Sequence, residues 1–368
     1  MMGFAALCVS CKPKDPPSPP PEASTATASA AAPSTAAPPS ATPSAPSASS
    51  ASAPRGDLPR CKALDKGRAA ALGTRTTAPV GFEARDGGVY WLGFSQPMAK
   101  VELVRFGRDG AKPTELGSYK GPGEPKSFVL AGSSALFSIQ RAVIQIPLAG
   151  GEPVKLATDF PSVIAANATH AFGVRCDKKT ETDTLVRVSL AGGDVETAAS
   201  WPRTKGRDVC DYKGLAVDAS HAFVGDWGDR RVLSVALADG STRQLTTDAY
   251  PSRFGIEQES LVFNGQNGIY RVAKTGGEPK QLTRLGGAPF STWAWDSRAI
   301  YVLETLPYSK EHSLVKVPRE GGKEQQLEGL SVPWVLEGPG LRHIAVDDAC
   351  VYFAVVREAY SELMARPK

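Results

Sequence analysis

The sequence contains few of the residues from which catalytic and metal sites are usually built. Only 4 of its 368 residues are histidine, and it has no HExxH motif, no GxSxG elbow and no phosphate-cradling glycine loop. A CxxC spacing occurs once, as CVSC at 8–11 in the apolar N-terminus. We therefore expect no cofactor and no metal ion, and we expect that the protein is not an enzyme.

The sequence also has little excess of charge of either sign and no long apolar run. The net charge is +4, from 42 basic and 38 acidic residues, and no basic stripe interleaved with aromatic residues occurs, so nucleic acid is excluded as an expected partner. The apolar run at 1–11 holds about ten apolar residues, whereas a membrane-spanning helix needs roughly twenty. We expect this run to be the remnant of a secretory signal peptide.

The end of the apolar run, LCVSC, resembles the lipobox of bacterial lipoproteins. The small Ser10 before Cys11 fits that pattern, whereas Cys8 stands where leucine is usual. The resemblance implies that Cys11 is lipidated, with Cys8 as the rival acceptor behind a bulkier Leu7. A cleaved signal without a lipid and a chance apolar start remain alternatives.

Residues 12–60 have the composition of a linker. The stretch 15–54 is almost wholly Pro, Ala, Ser and Thr, with Asp15 and Glu22 as its only charges. It has too little apolar surface to offset the entropy of ordering, and its prolines favour an extended spacer. We therefore expect a folded domain at 61–368 that is lipid-anchored in the bacterial cell envelope or exported, and that meets the membrane through the anchor alone.

From about residue 61 onward, one pattern of short apolar strands recurs. Its clearest copy, at 214–247, reads as four strands, LAVD, HAFVGDW, RVLSVAL and TRQLTT, separated by turns. Seven strand pairs alternate apolar and polar residues at period two. The glycines of the third turn are spaced 41, 42, 47, 37 and 45 residues apart, at Gly110, Gly151, Gly193, Gly240, Gly277 and Gly322. The pattern predicts an all-β, seven-bladed propeller of four-stranded antiparallel blades, with six or eight blades as alternatives.

The last repeat ends before its fourth strand. Residues 67–79 align with the fourth strand of another repeat, so the N-terminus is predicted to complete the last blade and close the ring.

The connections of a propeller alternate between two faces. Turns between first and second strands and between third and fourth strands share one face, which we call the plain face. Second–third loops and blade-to-blade connections share the other, the irregular face. The variable insertions, at 175–183, 201–213, 305–313 and 329–340, all belong to the irregular face, so we expect any ligand there.

The best polar cluster on the irregular face is GDWGDRR at 225–231, where a tryptophan among charges suits stacking on carbohydrate or peptide. Equivalent loops contribute further polar side chains, although DWG and NGQNG are also good hairpin sequences. The predicted binding residues are Asp226, Trp227, Asp229, Arg230, Arg231, Arg175, Asp177, Asn264, Gln266, Asn267 and Trp334.

Four cysteines remain outside the N-terminal run, which allows three pairings. Cys176 and Cys210 fall on the irregular face, whereas Cys61 and Cys350 fall on the plain face. The topology therefore predicts the disulfides Cys176–Cys210 and Cys61–Cys350, the second of which would staple the ring. Four free thiols are the alternative.

The histidines favour structural roles. His170 and His221 occupy the same position in adjacent repeats, which indicates closure of a turn. His312 falls in an insertion, and His343 begins the last inner strand, where it could face the axial channel.

The repeat, written IAVD-xx-xVYF…VxRVPxxGGxPxxL, resembles the TolB-like and low-density-lipoprotein-receptor-like β-propellers over residues 81–368. The resemblance implies architecture and not function, because propellers host enzymes and binders alike. VYWL at 89–92 and VYFA at 351–354 are only relatives of the receptor YWTD motif, so that family's partners are not carried over.

We expect a monomeric, non-catalytic propeller that binds or scaffolds an envelope protein, peptide or glycan. The alternative is a propeller hydrolase, lyase or lactonase with its site at the channel mouth. That alternative needs converging carboxylates, and the inner strands are expected to offer only Glu83, Glu257 and Asp296, scattered along the ring.

Overall fold

The computed structural model describes residues 61, 68–96, 98–177, 179–204, 211–247, 249–285, 292–305, 311–331, 343–357 and 360–368. This part of the chain forms 28 strands in seven four-stranded antiparallel sheets. No helix within it has the length and apolarity to cross a membrane. The predicted leader and linker, 1–11 and 12–60, lie outside the described residues.

Each sheet is one blade of a β-propeller, and in six blades the strands follow chain order from the axis outward. Blade 1 contains β2 (Ala78–Arg85), β3 (Gly88–Ser95), β4 (Lys100–Gly107) and β5 (Thr114–Lys120). Blade 2 contains β6 (Ser127–Ala131), β7 (Ser134–Ile139), β8 (Ala142–Pro147) and β9 (Val154–Ala157). Blade 3 contains β10 (Ile164–Ala166), β11 (His170–Asp177), β12 (Thr182–Ser189) and β13 (Glu196–Pro202).

The remaining blades follow the same order. Blade 4 contains β14 (Tyr212–Val217), β15 (His221–Asp226), β16 (Arg231–Ala236) and β17 (Thr242–Thr246). Blade 5 contains β18 (Phe254–Ile256), β19 (Ser260–Gly265), β20 (Gly268–Ala273) and β21 (Lys280–Thr283). Blade 6 contains β22 (Thr292–Trp295), β23 (Ala299–Thr305), β24 (Glu311–Pro318) and β25 (Gln325–Ser331). Blade 7 contains β26 (Ile344–Val346), β27 (Cys350–Val356), β28 (Ser361–Pro367) and, as its outer strand, β1 (Ala70–Arg75).

The turn residues explain where the strands stop. In the first–second turn of blade 4, Asp218 Oδ1 accepts the backbone N–H groups of Ser220, at 2.8 Å, and of His221, at 2.7 Å. This side-chain closure recurs in several blades because Asp and Asn can replace a backbone acceptor in a turn. The six third-turn glycines all have positive φ, for example 78° at Gly110 and 129° at Gly322, which confirms why the repeat needs glycine there.

The hydrophobic core is divided into seven layers, each between two adjacent blades. Second strands contribute to the layers on both of their faces, so they are apolar almost throughout. In the layer between blades 7 and 1, the side chains of Trp91 and Tyr352 are 0% exposed. Burial of this kind stabilises the fold by about 1.5–3 kcal/mol for each large apolar side chain.

The N-terminal strand closes the ring, as predicted. β1 pairs antiparallel with β28, with Thr74 opposite Glu362. The disulfide Cys61–Cys350 spans a Cα–Cα distance of 5.7 Å beside this strand pair. A hydrogen-bonded strand and a covalent link therefore both tie the start of the domain to its last blade, whose four-stranded sheet β1 completes.

A repeated position on the plain face joins neighbouring blades. The residue directly after each third strand has its backbone N–H bonded to the first–second turn of its own blade. In blades 2, 3 and 4 this residue is Leu148, Leu190 and Leu237. In blades 5, 6, 7 and 1 it is a cation that pairs with the turn carboxylate of the preceding blade, as Lys274–Asp218, Arg319–Glu257, Lys368–Asp296 and Arg108–Asp347.

Candidate functional site

The second–third loop of blade 4 lies on the irregular face between Asp226, where β15 ends, and Arg231, where β16 begins. The loop turns tightly because Arg230 has a φ of 53°. Its first residue is held to the preceding connection, because the Trp227 N–H donates to the Asp211 carbonyl at 3.0 Å.

Three of the predicted binding residues make contacts within the loop. The Asp226 side chain is 0% exposed; its carboxylate accepts the Asp229 N–H and the Arg231 Nε–H, both at 3.2 Å. Arg231 Nη2 also forms an ion pair with Asp229 Oδ2 at 2.9 Å. Asp226, Asp229 and Arg231 therefore fix the loop and present little charge to solvent.

The other two loop residues contact a tyrosine from the next connection. Trp227 meets Tyr250 edge-to-face, with ring centroids 5.5 Å apart, and Arg230 Cζ lies 5.1 Å from the Tyr250 centroid. Arg230 is exposed, and both rings are partly exposed. The Ala249 N–H, which donates to the Arg230 carbonyl at 2.7 Å, holds the connection against the loop. We call Trp227, Arg230 and Tyr250 the aromatic cluster.

Sequence reasoning missed Tyr250, because it lies in a blade-to-blade connection that does not align between repeats. The available signal was DAYPSR, an aromatic residue in the connection that directly follows blade 4. Among the residues that the structure describes, none hydrogen-bonds the buried Trp227 Nε1, so a ligand would meet the ring carbons and not the indole N–H.

The predicted residues of blade 5 do not join the aromatic cluster. Asn264 is 2% exposed, and its Oδ1 accepts the N–H groups of Ser252, at 3.1 Å, and Arg253, at 2.9 Å. The Asn264 side chain therefore fixes the connection that leads from blade 4 into blade 5. Gln266 and Asn267 are exposed in the neighbouring turn, where the Asn267 carbonyl accepts from Gln281 Nε2 at 2.8 Å.

Arg175 and Asp177 lie in blade 3, apart from the aromatic cluster. Arg175 Nη2 donates to the Asp159 carbonyl at 2.6 Å. Asp177 Oδ1 accepts the Lys179 N–H at 2.8 Å, and this bond, with help from Thr180, lowers the pKa of Asp177. The predicted residue Trp334 lies outside the described residues.

Several predicted insertions are shorter than expected, because the flanking strands extend into them. β11 extends to Asp177, so Arg175 and Asp177 belong to a strand. His312 also belongs to a strand, β24, and not to an insertion. The predictions for 201–213 and 329–340 were likewise too broad, because β13 ends at Pro202, β14 begins at Tyr212 and β25 ends at Ser331.

The second predicted disulfide is described at one end only. Cys176 is disulfide-bonded, and its predicted partner Cys210 lies outside the described residues. The pairing Cys176–Cys210 stays a prediction.

The contacts of the histidines are those of turn and core residues. The ring nitrogens of His170 and His221 contact the Thr169 and Ser220 hydroxyls at 2.8 and 2.9 Å, in equivalent turns. Burial lowers the pKa of His312. His343 lies against the edge of Phe82, with ring centroids 5.9 Å apart, at the boundary between blades 7 and 1.

Two carboxylates expected on inner strands lie elsewhere. Glu257 and Asp296 are plain-face turn residues, where they pair with Arg319 and Lys368. Glu83 does lie on an inner strand, β2. Within the described ranges, no three His, Cys, Asp or Glu side chains come close enough to hold a metal ion.

Comparison with known proteins finds similarity in structure alone. No protein-family model matches the chain, and no curated protein matches it. An oligogalacturonate lyase from Vibrio parahaemolyticus superposes with a TM-score of 0.61 at 12% identity, over 83% of this chain and 95% of that one. An oligogalacturonate lyase in complex with manganese gives 0.56 at 14% identity, over 83% and 98%. BamB from Moraxella catarrhalis gives 0.49 at 10% identity, over 79% and 85%.

The likeness to the two lyases shows the fold alone. The chain is a seven-bladed β-propeller, as the sequence predicted, and the architectural part of the resemblance to propeller families is confirmed. At 12% and 14% identity, no residue role passes from the lyases to this chain, because one fold hosts many functions.

Proposed function

We propose that this protein is a non-catalytic binding module that holds a protein, peptide or glycan partner on the irregular face of its propeller. The observation that carries the proposal is the aromatic cluster, in which Trp227 and Tyr250 present partly exposed rings beside the exposed guanidinium of Arg230.

The chemistry of the cluster suits recognition. Partly exposed rings offer apolar surface for stacking on a sugar or a side chain, and a partner's aromatic ring would add about 0.5–1.5 kcal/mol beyond the area buried. The neighbouring guanidinium adds hydrogen-bond donors in a planar fork. The cluster is also pre-organised, because the Asp226, Asp229 and Arg231 network fixes the loop below it. Binding would therefore cost little ordering of the loop.

We also propose that the module is tethered in the bacterial cell envelope through a lipid on Cys11. The lipobox-like end of the apolar run and the Pro- and Ala-rich stretch that follows support a lipid anchor and a spacer. The Cys61–Cys350 disulfide supports an oxidising compartment. Metabolic labelling with a palmitate analogue should mark the full-length protein and not its Cys11→Ala variant. Equal labelling of both would contradict this site.

Affinity capture from envelope extracts tests the binding function. Full-length protein is compared with Trp227→Ala and Arg230→Ala, and with Arg298→Ala as a control that removes an exposed arginine from the plain face. We expect capture to fall at least tenfold in Trp227→Ala and severalfold in Arg230→Ala, with no change in the control. If all four capture the same partners equally, the aromatic cluster is not the binding site.

A further inference from the structure

The aromatic cluster contains a guanidinium whose charge is not balanced within the described part of the chain. The neighbouring Arg231 pairs with Asp226 and Asp229, at 3.2 and 2.9 Å. No described carboxylate lies within ion-pair distance of Arg230, whose side chain contacts the Tyr250 ring at 5.1 Å. A ring face attracts a cation but carries no net charge that would cancel it. Arg230 is also exposed, so its hydrogen-bond donors are accessible to a ligand.

Blade 7 shows how the chain completes a similar arrangement with its own residues. In the second–third loop of that blade, Arg357 Cζ lies 6.0 Å from the ring centroid of Tyr360, whose side chain is 38% exposed. There the Arg357 Nε–H donates to Glu362 Oε2 at 2.8 Å. Glu362 is the second residue of β28, and the second residue of β16 in blade 4 is the buried Val232. Blade 4 therefore has the arginine–tyrosine contact without the carboxylate that accompanies it in blade 7.

The other polar side chains beside Arg230 are already bonded within the loop. Asp229 Oδ2 accepts the Thr204 hydroxyl and pairs with Arg231, and the indole Nε1 of Trp227 is buried. Among the described residues of this region, what remains for a ligand is therefore ring surface, the Arg230 guanidinium and the hydroxyl of the adjacent tyrosine.

This set of groups favours a peptide over a sugar. Each sugar ring carries several hydroxyl groups, which need several donors and acceptors when they are removed from water. A peptide that has one carboxylate beside one apolar side chain needs a single cation and an apolar surface. A carboxylate also matches the guanidinium in shape, because it accepts two parallel hydrogen bonds from the planar fork.

We propose that the aromatic cluster binds an acidic peptide segment of a partner protein. The carboxylate of a glutamate or aspartate pairs with Arg230, as Glu362 pairs with Arg357 in blade 7, and an adjacent aromatic or aliphatic side chain packs on Trp227. The inference rests on the proposed function, and it specifies the ligand class of the same site.

Three small probes test the ligand class. Acetyl-Glu-Phe-amide carries both groups, acetyl-Gln-Phe-amide has the same shape without the charge, and methyl β-glucuronide carries its carboxylate on a sugar. Binding to the full-length protein is measured by ligand-observed NMR at low ionic strength, because salt screens exposed charge pairs. We expect the glutamate peptide to bind about fivefold more tightly than the glutamine peptide, which is the most that an exposed ion pair usually contributes. The glucuronide should bind more weakly than the glutamate peptide.

Three variants make the test specific. Arg230→Gln should bind the two peptides with equal affinity, because the preference for glutamate depends on its charge. Arg357→Gln, which removes the arginine that Glu362 already pairs with, should keep the preference. Trp227→Ala should weaken the binding of both peptides severalfold and leave their ratio unchanged, since it removes ring surface and no charge.

Equal binding of the two peptides to the wild type, or no binding of either, would overturn the proposal. A preference for glutamate that persists in Arg230→Gln would overturn it as well. Tighter binding of the glucuronide than of the glutamate peptide would overturn the peptide class in favour of an acidic glycan. Any of these results leaves the proposed function standing, because that function fails only if capture from envelope extracts does not depend on the cluster.

Discussion

Arg108 of blade 1 forms an ion pair with Asp347 of blade 7, at 3.3 Å between Nη2 and Oδ2, and Arg108 is 2% exposed. The same carboxylate closes the turn of its own blade, because its Oδ1 accepts the N–H groups of Ala349, at 2.9 Å, and Cys350, at 2.8 Å. One aspartate therefore ends a strand, positions the cysteine of the ring-closing disulfide and holds the first blade against the last.

Replacing Arg108 with methionine should destabilise the protein. The substitution keeps an unbranched side chain between blades 1 and 7 but leaves the Asp347 carboxylate without this cation. Removing one partner of a buried ion pair costs about 3 kcal/mol at the lower end of the usual range. The midpoint of urea unfolding measures the effect. Lys126→Met, which removes an exposed pair with Glu124, should change the stability by less than about 1 kcal/mol. Equal midpoints for the two variants would contradict a role in closure.

Loss of the Cys61–Cys350 disulfide should also weaken the ring. The two cysteines are 289 residues apart, so the link restricts the unfolded chain strongly, by about 5 kcal/mol at most. The double variant Cys61→Ser/Cys350→Ser should unfold at lower urea than the wild type under oxidising conditions. An unchanged midpoint would show that β1 alone closes the ring.

Peptide mapping without reduction should identify two linked pairs. We expect peptides that join Cys61 to Cys350 and Cys176 to Cys210, because each pair then lies on one face of the propeller. A peptide that joins Cys61 to Cys176 would contradict the assignment of faces.

The stability contributed by Glu83 should depend on pH. Its pKa is about 7 in the folded protein, against an ordinary value of 4.5. Because the folded state holds this proton more tightly than the unfolded chain does, the contribution is complete below about pH 4.5 and is lost as the pH rises through 7. The loss amounts to about 3 kcal/mol at most.

Glu83→Gln, which is neutral throughout, should therefore match the wild type at pH 4.5 and be the more stable of the two at pH 8, in urea unfolding at both pH values. Glu115→Gln, which removes an exposed carboxylate from β5, provides the control. If the difference between Glu83→Gln and the wild type is the same at both pH values, Glu83 titrates normally.

The sequence predicted the blades well because the signals that define them are local. Glycines such as Gly110 and Gly322 are needed at their own turns, and apolar alternation marks each strand independently of the others. Closure by β1 was also predictable, since the N-terminal segment aligns with the missing fourth strand.

The candidate sites were less predictable because they depend on connections that do not repeat. Tyr250 and Arg253 both lie in the connection between blades 4 and 5. This connection does not align with those of the other repeats, so the repeat pattern does not predict where its side chains lie. Asn264 and Asp226 carry the residue types of a binding site, yet the structure uses both to fix loops. A polar residue in a loop gives no local sign of whether its partner is a ligand or the backbone beside it.

A photo-reactive side chain at position 230 tests partner binding on the irregular face most directly. Benzoylphenylalanine is placed at position 230 or, as the plain-face control, at position 298, and the cells are irradiated intact. We predict a cross-linked partner at position 230 that disappears when Trp227 is also replaced by alanine, and none at position 298. Cross-links at position 298 alone, or at both positions regardless of Trp227, would contradict binding at the aromatic cluster.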